Sequence, residues 1–201
     1  MLKKGEYSFH ITNRGDIIIL GQMGIITVCR KGKWHVYDVQ TMKNCICDIV
    51  SEYRVGCNMF ELLLDFSYKR HGALLIYDPE HKVIENIVNK ESLLLNNELI
   101  DISREMLSPS VSCINMGGQN MSLRKKRIMI ELASMDGALI FDSNSILAFG
   151  SMIKTHPKAG NHSGARETAF ESAFLYGGRP FKVSSDGDIS IRFSNGKLTF
   201  L

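Results

Sequence analysis

From Gly72 onward the chain alternates short, apolar, β-branched runs with helix-like stretches, without a strict strand–helix–strand rhythm. Ala73-Leu74-Leu75-Ile76-Tyr77 has the unbroken apolar character of a buried strand, and Gly137-Ala138-Leu139-Ile140-Phe141 repeats it. Asp142-Ser143-Asn144 turns the second run into a hairpin partner, Ser145-Ile146-Leu147-Ala148-Phe149, ending at Gly150. A polar loop follows from Ser151 to Ser163, and a helix opens near Gly164 with Ala169, Phe170, Ala173 and Phe174 on one face. Gly177-Gly178 stops that helix, and three short strands follow, with turns at Asp186-Gly187 and Asn195-Gly196. This mixture implies an α/β fold with a mixed central sheet flanked by helices, rather than a doubly wound parallel sheet.

Upstream, residues 16–37 read as a small β meander: Asp16-Ile17-Ile18-Ile19-Leu20, then Gly24-Ile25-Ile26-Thr27-Val28-Cys29, then a turn at Lys31-Gly32-Lys33 into Trp34-His35-Val36-Tyr37. Residues 38–56 fit a helix or a strand; as a helix, Asp38 caps it and Met42, Ile46 and Ile49 line it. Gly56 is expected to break the chain and Asn58 to cap the next helix, which carries Phe60, Leu63, Leu64 and Tyr68 and ends near His71-Gly72. Asp78-Pro79-Glu80-His81 predicts a turn and residues 82–88 a returning strand. Further helices are expected at 97–107, ended by Ser108-Pro109-Ser110, and from about 121 to 133, with a loop over 115–120 between them. The expected division is a small β-rich N-terminal appendage, residues 1–57, and an α/β domain, residues 58–201.

Composition narrows the class of protein. A hydrophobic fraction of 44% with 22% charged residues supports a folded core. No apolar run approaches the roughly 18 residues of a membrane span, and Met1 to His10 lacks a signal-peptide core, so a cytoplasmic protein with no membrane partner is expected. The five cysteines are odd in number and irregularly spaced, which fits reduced thiols. Cys45, Cys47 and Cys57 lack the paired spacing of a structural zinc site, and buried apolar thiols explain them more simply. A net charge of +3 does not call for a nucleic-acid partner. The basic run Arg124-Lys125-Lys126-Arg127 precedes apolar helical positions and reads as the solvated start of that helix.

Two segments carry chemistry. In Asp136-Gly137-Ala138 an acid precedes a buried strand, and the small residues after it let a ligand approach the backbone closely. Asp136 there suits a metal ion or a sugar hydroxyl, although an acid in that place is also an ordinary turn residue. In Gly164-Ala165-Arg166-Glu167-Thr168 a glycine and an arginine open an amphipathic helix. Free amides, the positive end of the helix dipole and a guanidinium together attract phosphate, while Glu167 would repel it.

Together these segments resemble the diadenylate-cyclase domain family, the DisA N-terminal-like domains. That family carries Asp-Gly-Ala at the start of a strand, matched in full by Asp136, Gly137 and Ala138. It carries Gly-Thr-Arg-His-Arg-Ala-Ala at a helix start, matched here by Gly164, Arg166 and Ala169, with Ala165 at the threonine position. Ile146-Leu147-Ala148-Phe149-Gly150, Lys69-Arg70-His71-Gly72-Ala73-Leu74-Leu75-Ile76 and Val183-Ser184-Ser185-Asp186-Gly187-Asp188-Ile189-Ser190 also resemble family strands, so the likeness spans residues 58–201. It implies a site for ATP or a related nucleotide, including cyclic di-AMP, built from Asp136, Gly137, Ala138, Gly150, Met152, Ile153, Gly164, Ala165, Arg166, Glu167 and Thr168. Met152 and Ile153 would border the adenine ring. Asp136 would be the catalytic and metal-holding carboxylate, Mg²⁺ or Mn²⁺ the cofactor, and a homodimer or higher homo-oligomer the assembly.

The departures from that pattern decide the expected activity. Glu167 and Thr168 stand where active members have histidine and arginine, and the acidic pair of the later hairpin reads Ser185 and Asp186. Losing up to two positive charges from a phosphate site costs orders of magnitude in rate. The resemblance therefore implies a nucleotide sensor, weak or inactive as a cyclase. An active diadenylate cyclase joining two ATP molecules is the alternative, and an interaction module with a dead site is a third reading. His156 and His162, in the loop before Arg166, are further ligand or metal candidates alongside Asp136.

Overall fold

The computed structural model describes residues 3–22, 24–30, 32–36, 38–94, 123–160, 162, 164–194 and 196–200. The helix expected at 97–107 and the loop expected at 115–120 lie outside these residues, as do Cys113 and Asn195.

Four strands form an antiparallel N-terminal sheet in chain order: β1 (Ser8–Ile11), β2 (Ile17–Gly21), β3 (Gly24–Arg30) and β4 (Lys33–Val36). The expected meander is present, with β1 added from a stretch whose polar residues gave no strand signal. Ile18 and Val28 are buried beneath this sheet, with Leu20, Ile25 and Val39 packed against them. Two arginines, Arg30 buried and Arg70 half-buried, fix it to the rest of the protein. Arg30 donates to the carbonyls of Ser67 at 3.0 Å and Asp186 at 3.2 Å. Arg70 pairs with the Asp16 carboxylate.

The helix expected after Asp38 forms as α1 (Val39–Val50), where the Asp38 carboxylate accepts the Thr41 N–H at 3.0 Å. The next helix corrects the sequence reading. α2 (Tyr53–Lys69) begins five residues before Asn58, which lies buried inside it, and Gly56 does not break the chain. A Cβ on Gly56 would sit 2.6 Å from the Cα of Cys47, so the glycine is where α1 and α2 touch. Burial of Met42, Ile46 and Val50 of α1 with Met59, Leu63 and Phe66 of α2 outweighs the helix penalty of a glycine, about 1 kcal/mol. The boundary between residues 57 and 58 thus falls inside α2. α2 ends at Arg70 in the left-handed conformation, next to the expected His71-Gly72 stop.

The central sheet has six strands: β5 (Ala73–Tyr77), β6 (Ala138–Phe141), β7 (Ile146–Ser151), β8 (Arg179–Val183), β9 (Ile189–Phe193) and β10 (Gly196–Phe200). Their order is β10-β9-β8-β5-β6-β7, with β5 and β6 parallel and every other pair antiparallel. This is the mixed α/β architecture expected, with the N-terminal strands as a separate sheet. Alternate residues of each strand face opposite layers. Leu75, Tyr77, Leu139 and Phe141 pack toward α1, α2 and α3 (Leu123–Ala133). Leu74, Ile76, Ala138 and Ile140 pack toward α4 (Ala165–Leu175) through Phe170 and Ala173. Cover on both faces is why β5 and β6 read as unbroken apolar runs.

The returning strand expected at 82–88 is instead a short 3₁₀ turn over Ile84–Asn86. The buried Asp78 carboxylate accepts the N–H groups of Lys82, Val83 and Ile84 at 2.9–3.1 Å, which bends the chain before it can pair as a strand. Only Ile87 makes a sheet-type bridge, to Ile153. The basic run at 124–127 does more than meet solvent: Lys126 reaches Asp65 at 3.0 Å and Glu61 at 3.5 Å on α2.

Candidate functional site

The turn into β6 is built on a close approach of two strands. Gly137 has φ +106°, and a Cβ there would lie 2.4 Å from the carbonyl carbon of Gly150 at the end of β7. Gly150 itself has φ +61°. Asn89 fixes the strand end from outside, donating to the Gly150 carbonyl at 2.9 Å and accepting the Met152 N–H at 2.7 Å. Val88 donates to the Met152 carbonyl at 2.7 Å. Both main-chain groups of Met152 are therefore occupied, whereas those of Ile153 meet no partner among the described residues.

Across from this turn, α4 starts after Gly164 in extended conformation with no side-chain cap. The N–H groups of Glu167 and Thr168 return to the Gly164 carbonyl at 3.1 Å, while those of Ala165 and Arg166 find no acceptor among the described residues. This is the open amide arrangement that suits an anion at a helix start. The Arg166 guanidinium extends over Gly72, where a Cβ would come within 2.5 Å of Nη1, and it has no ion-pair partner among the described residues.

The two segments share one cavity of about 590 Å³, within the range of small-molecule sites. Asp136, Gly137, Ala138, Met152, Ile153, Ala165, Arg166 and Thr168 line it. Gly150 and Gly164 shape its walls without lining it. Glu167 is turned away. Its carboxylate accepts from Lys197 at 2.5 Å and from Lys182, on the strands behind α4. Burial pushes the Glu167 carboxyl up, but the hydrogen bonds from Lys182 and Lys197 outweigh it and hold the group below its ordinary value. Glu167 therefore brings no negative charge to the cavity wall, and it offsets one of the two positive charges on Lys182 and Lys197. The sequence missed Leu74, Ser151, Thr155 and Ala169 as lining residues; Ser151 ends β7 and Thr155 lies in the polar loop after it, with no spacing that marks either.

The histidines of that loop divide. His156 is an anchor: its Nδ1 accepts the Lys158 N–H at 3.1 Å, its own N–H meets Ser172 Oγ at 3.0 Å, and its ring stands edge-on to Tyr176. His162 is exposed to solvent. Among the described residues no group of three His, Cys, Asp or Glu side chains is placed to hold a metal ion. Among the described residues the cavity offers one carboxylate, Asp136, whose Oδ1 accepts the Gly137 N–H at 3.1 Å. That fits Mg²⁺ or Mn²⁺ only where substrate phosphates and water supply the remaining oxygens. Burial, reinforced by the neighbouring Cys57, pushes the Cys47 thiol up to about 11, so it stays protonated and unreactive at neutral pH. A second cavity of about 370 Å³ lies between β4 and β10, beside Trp34 and Phe200, away from these motifs.

No family model matches the chain, and no curated protein matches it. Among solved structures it is similar to a double mutant of DacA from Staphylococcus aureus, at 20% identity over 77% of this chain and 87% of that one, with a TM-score of 0.40. It is also similar to a hypothetical membrane spanning protein from Bacillus cereus, at 10% identity over 82% of this chain and 80% of that one, with a TM-score of 0.46. In this chain no helix among the described residues is long and apolar enough to cross a membrane.

Proposed function

We propose that the cavity between Asp136 and Arg166 binds ATP or a related nucleotide, and that the protein is a nucleotide sensor of the diadenylate-cyclase type with little or no cyclase activity. The observation that carries this reading is the shared cavity: the Asp136-Gly137-Ala138 turn and the uncapped start of α4 line one space of small-molecule size. Arg166 and the open amides of Ala165 and Arg166 suit the phosphates. The free main-chain groups of Ile153 suit the base edge, and Met152 covers the ring. Asp136 is the residue that would hold a divalent ion, whose positive charge would offset that of the phosphates.

The same geometry argues against turnover. Where the resembled family has histidine and arginine, Glu167 is tied to two lysines and Thr168 carries no charge. Among the described lining residues one guanidinium is left for a triphosphate whose reaction needs several positive groups. Calorimetry with ATP and with cyclic di-AMP, with and without Mg²⁺, tests binding. The expected result is a saturable isotherm that Arg166→Ala abolishes; no heat at millimolar ligand would remove the proposal. The intact Asp136-Gly137-Ala138 turn favours the second reading, an active cyclase. Incubation with ATP and Mn²⁺ is expected to give no cyclic di-AMP, and turnover lost in Asp136→Asn would establish that second reading instead.

A further inference from the structure

β2 and β3 carry the runs Ile17-Ile18-Ile19-Leu20 and Ile25-Ile26-Thr27-Val28-Cys29, the pattern of strands covered on both faces. The protein covers one. Ile18 and Val28, on the inner face, are 2% and 0% exposed. The strand register shows what the other face holds. Phe9 stands opposite Ile19, Ile19 opposite Thr27, and Thr27 opposite Val36. In the next row Ile11 stands opposite Ile17, Ile17 opposite Cys29, and Cys29 opposite Trp34. All eight share a face by the two-residue period of a strand, and none is charged. Tyr7 extends this face beside Gly21, to which it comes close.

This face is open. Phe9 is 69% exposed, Ile11 77%, Trp34 56%, Val36 81% and Tyr7 60%. With large side chains offering roughly 150–250 Å² each, these five alone present about 600–700 Å². A single protein rarely exposes a contiguous apolar patch of that size without using it. A standard interface buries about 800 Å² on each partner, so the patch is close to one half of a stable pair.

We propose that a second copy of this chain covers it, the two N-terminal sheets packing face to face as the layers of a β-sandwich about a twofold axis. The chemistry favours a like partner. A two-row face with no charge repels no copy of itself, and isologous contacts demand that self-complementarity. Homodimer interfaces are the more apolar class, whereas interfaces between unlike proteins carry more polar groups. A lipid-binding face sets cationic side chains among its apolar ones, and these eight positions hold none. Aligned sheets packed about 10 Å apart interdigitate side chains such as Phe9, Ile11, Trp34 and Val36 from both layers. The proposal is independent of the nucleotide reading.

The test uses the only tryptophan of the chain, Trp34, which lies within the face. Sedimentation of the full chain from low to high micromolar concentration should show a dimer, and Trp34 emission should be blue-shifted in the dimer and move red on dilution. Val36→Lys and Phe9→Lys place an ammonium group at exposed positions the monomer does not need. Each should keep the circular dichroism of the folded chain and weaken self-association at least 100-fold. A monomer with water-exposed Trp34 emission at every concentration overturns the proposal. So does a monomer whose Trp34 emission stays blue at every dilution, which would place the cover within the chain. A dimer untouched by both lysine variants overturns it too, as does a monomer that binds lipid vesicles through this face.

Discussion

The Arg166 guanidinium rests where a side chain on Gly72 would begin, with a Cβ at Gly72 only 2.5 Å from Nη1. The contact is with the far end of a flexible side chain, and Gly72 does not have the positive φ that only glycine adopts easily. Gly72→Ala should therefore fold with a stability within about 1 kcal/mol of the parent, yet push the guanidinium off its place on the cavity wall. A charge-assisted hydrogen bond contributes about 1.5–3 kcal/mol, so ATP affinity should fall roughly 10- to 100-fold. Calorimetry and thermal melting of the same sample check both halves. Unchanged affinity would mean Arg166 does not work from this position.

Gly137 and Gly150 differ in what they can tolerate. A methyl group on Gly137 meets main-chain atoms of Gly150 at 2.4 Å and also requires φ +106°. One on Gly150, at φ +61°, meets the Asp136 carbonyl at an ordinary 3.4 Å. Gly137→Ala should cost roughly 2–4 kcal/mol through strain and displaced backbone, and Gly150→Ala about 1 kcal/mol through its left-handed conformation alone. Denaturant unfolding of the two variants should rank them in that order. Equal losses would show that β6 and β7 are not held at this separation.

These glycines also show how far the sequence could be read. The strands around the cavity were legible because both faces of the central sheet are covered, so Ala73–Tyr77 and Ala138–Phe141 are unbroken apolar runs flanked by glycine. The lining by Asp136 and Arg166 was legible because small residues beside a strand mouth and a helix start form local patterns. What failed was set by distant partners. Gly56 reads locally as a helix breaker, and only Cys47 on the neighbouring helix explains it. Residues 82–88 read as a strand, and the carboxylate of Asp78 bends them. Glu167 reads as an acid facing phosphate, and lysines 15 and 30 residues further on turn it away.

The Glu167 pair makes a pH prediction. The folded carboxyl titrates below its ordinary value of 4.5 despite its burial, because Lys182 and Lys197 favour the charged form. A depressed folded pKa contributes stability that is present above the unfolded value and lost as pH falls through the folded one. Glu167→Gln should lower stability by about 1 kcal/mol at neutral pH, with the difference closing below about pH 4. Urea titrations of both proteins across that range check it; a gap that persists in acid would place the effect in packing rather than charge.

Arg30 is the main tie between the N-terminal sheet and the body that holds the cavity. Its guanidinium bonds the carbonyls of Ser67 at the end of α2 and Asp186 in the turn between β8 and β9, and Ser67 Oγ donates to the Gly187 carbonyl of that turn at 2.6 Å. The fit is tight: a Cβ on Gly187 would lie 2.3 Å from Arg30 Nη1. Arg30→Met keeps the length of the side chain and removes its donors, so both carbonyls lose a charge-assisted hydrogen bond, while that of Ser67 keeps the Arg70 N–H. The expected loss is about 2 kcal/mol. Because the sheet's remaining hold is the Arg70–Asp16 pair and the small cluster around Ile18 and Val28, the loss should be felt there first. Hydrogen exchange should speed up across residues 17–36 before it does in β5 and β6, and uniform acceleration across both sheets would show instead that the two unfold as one unit.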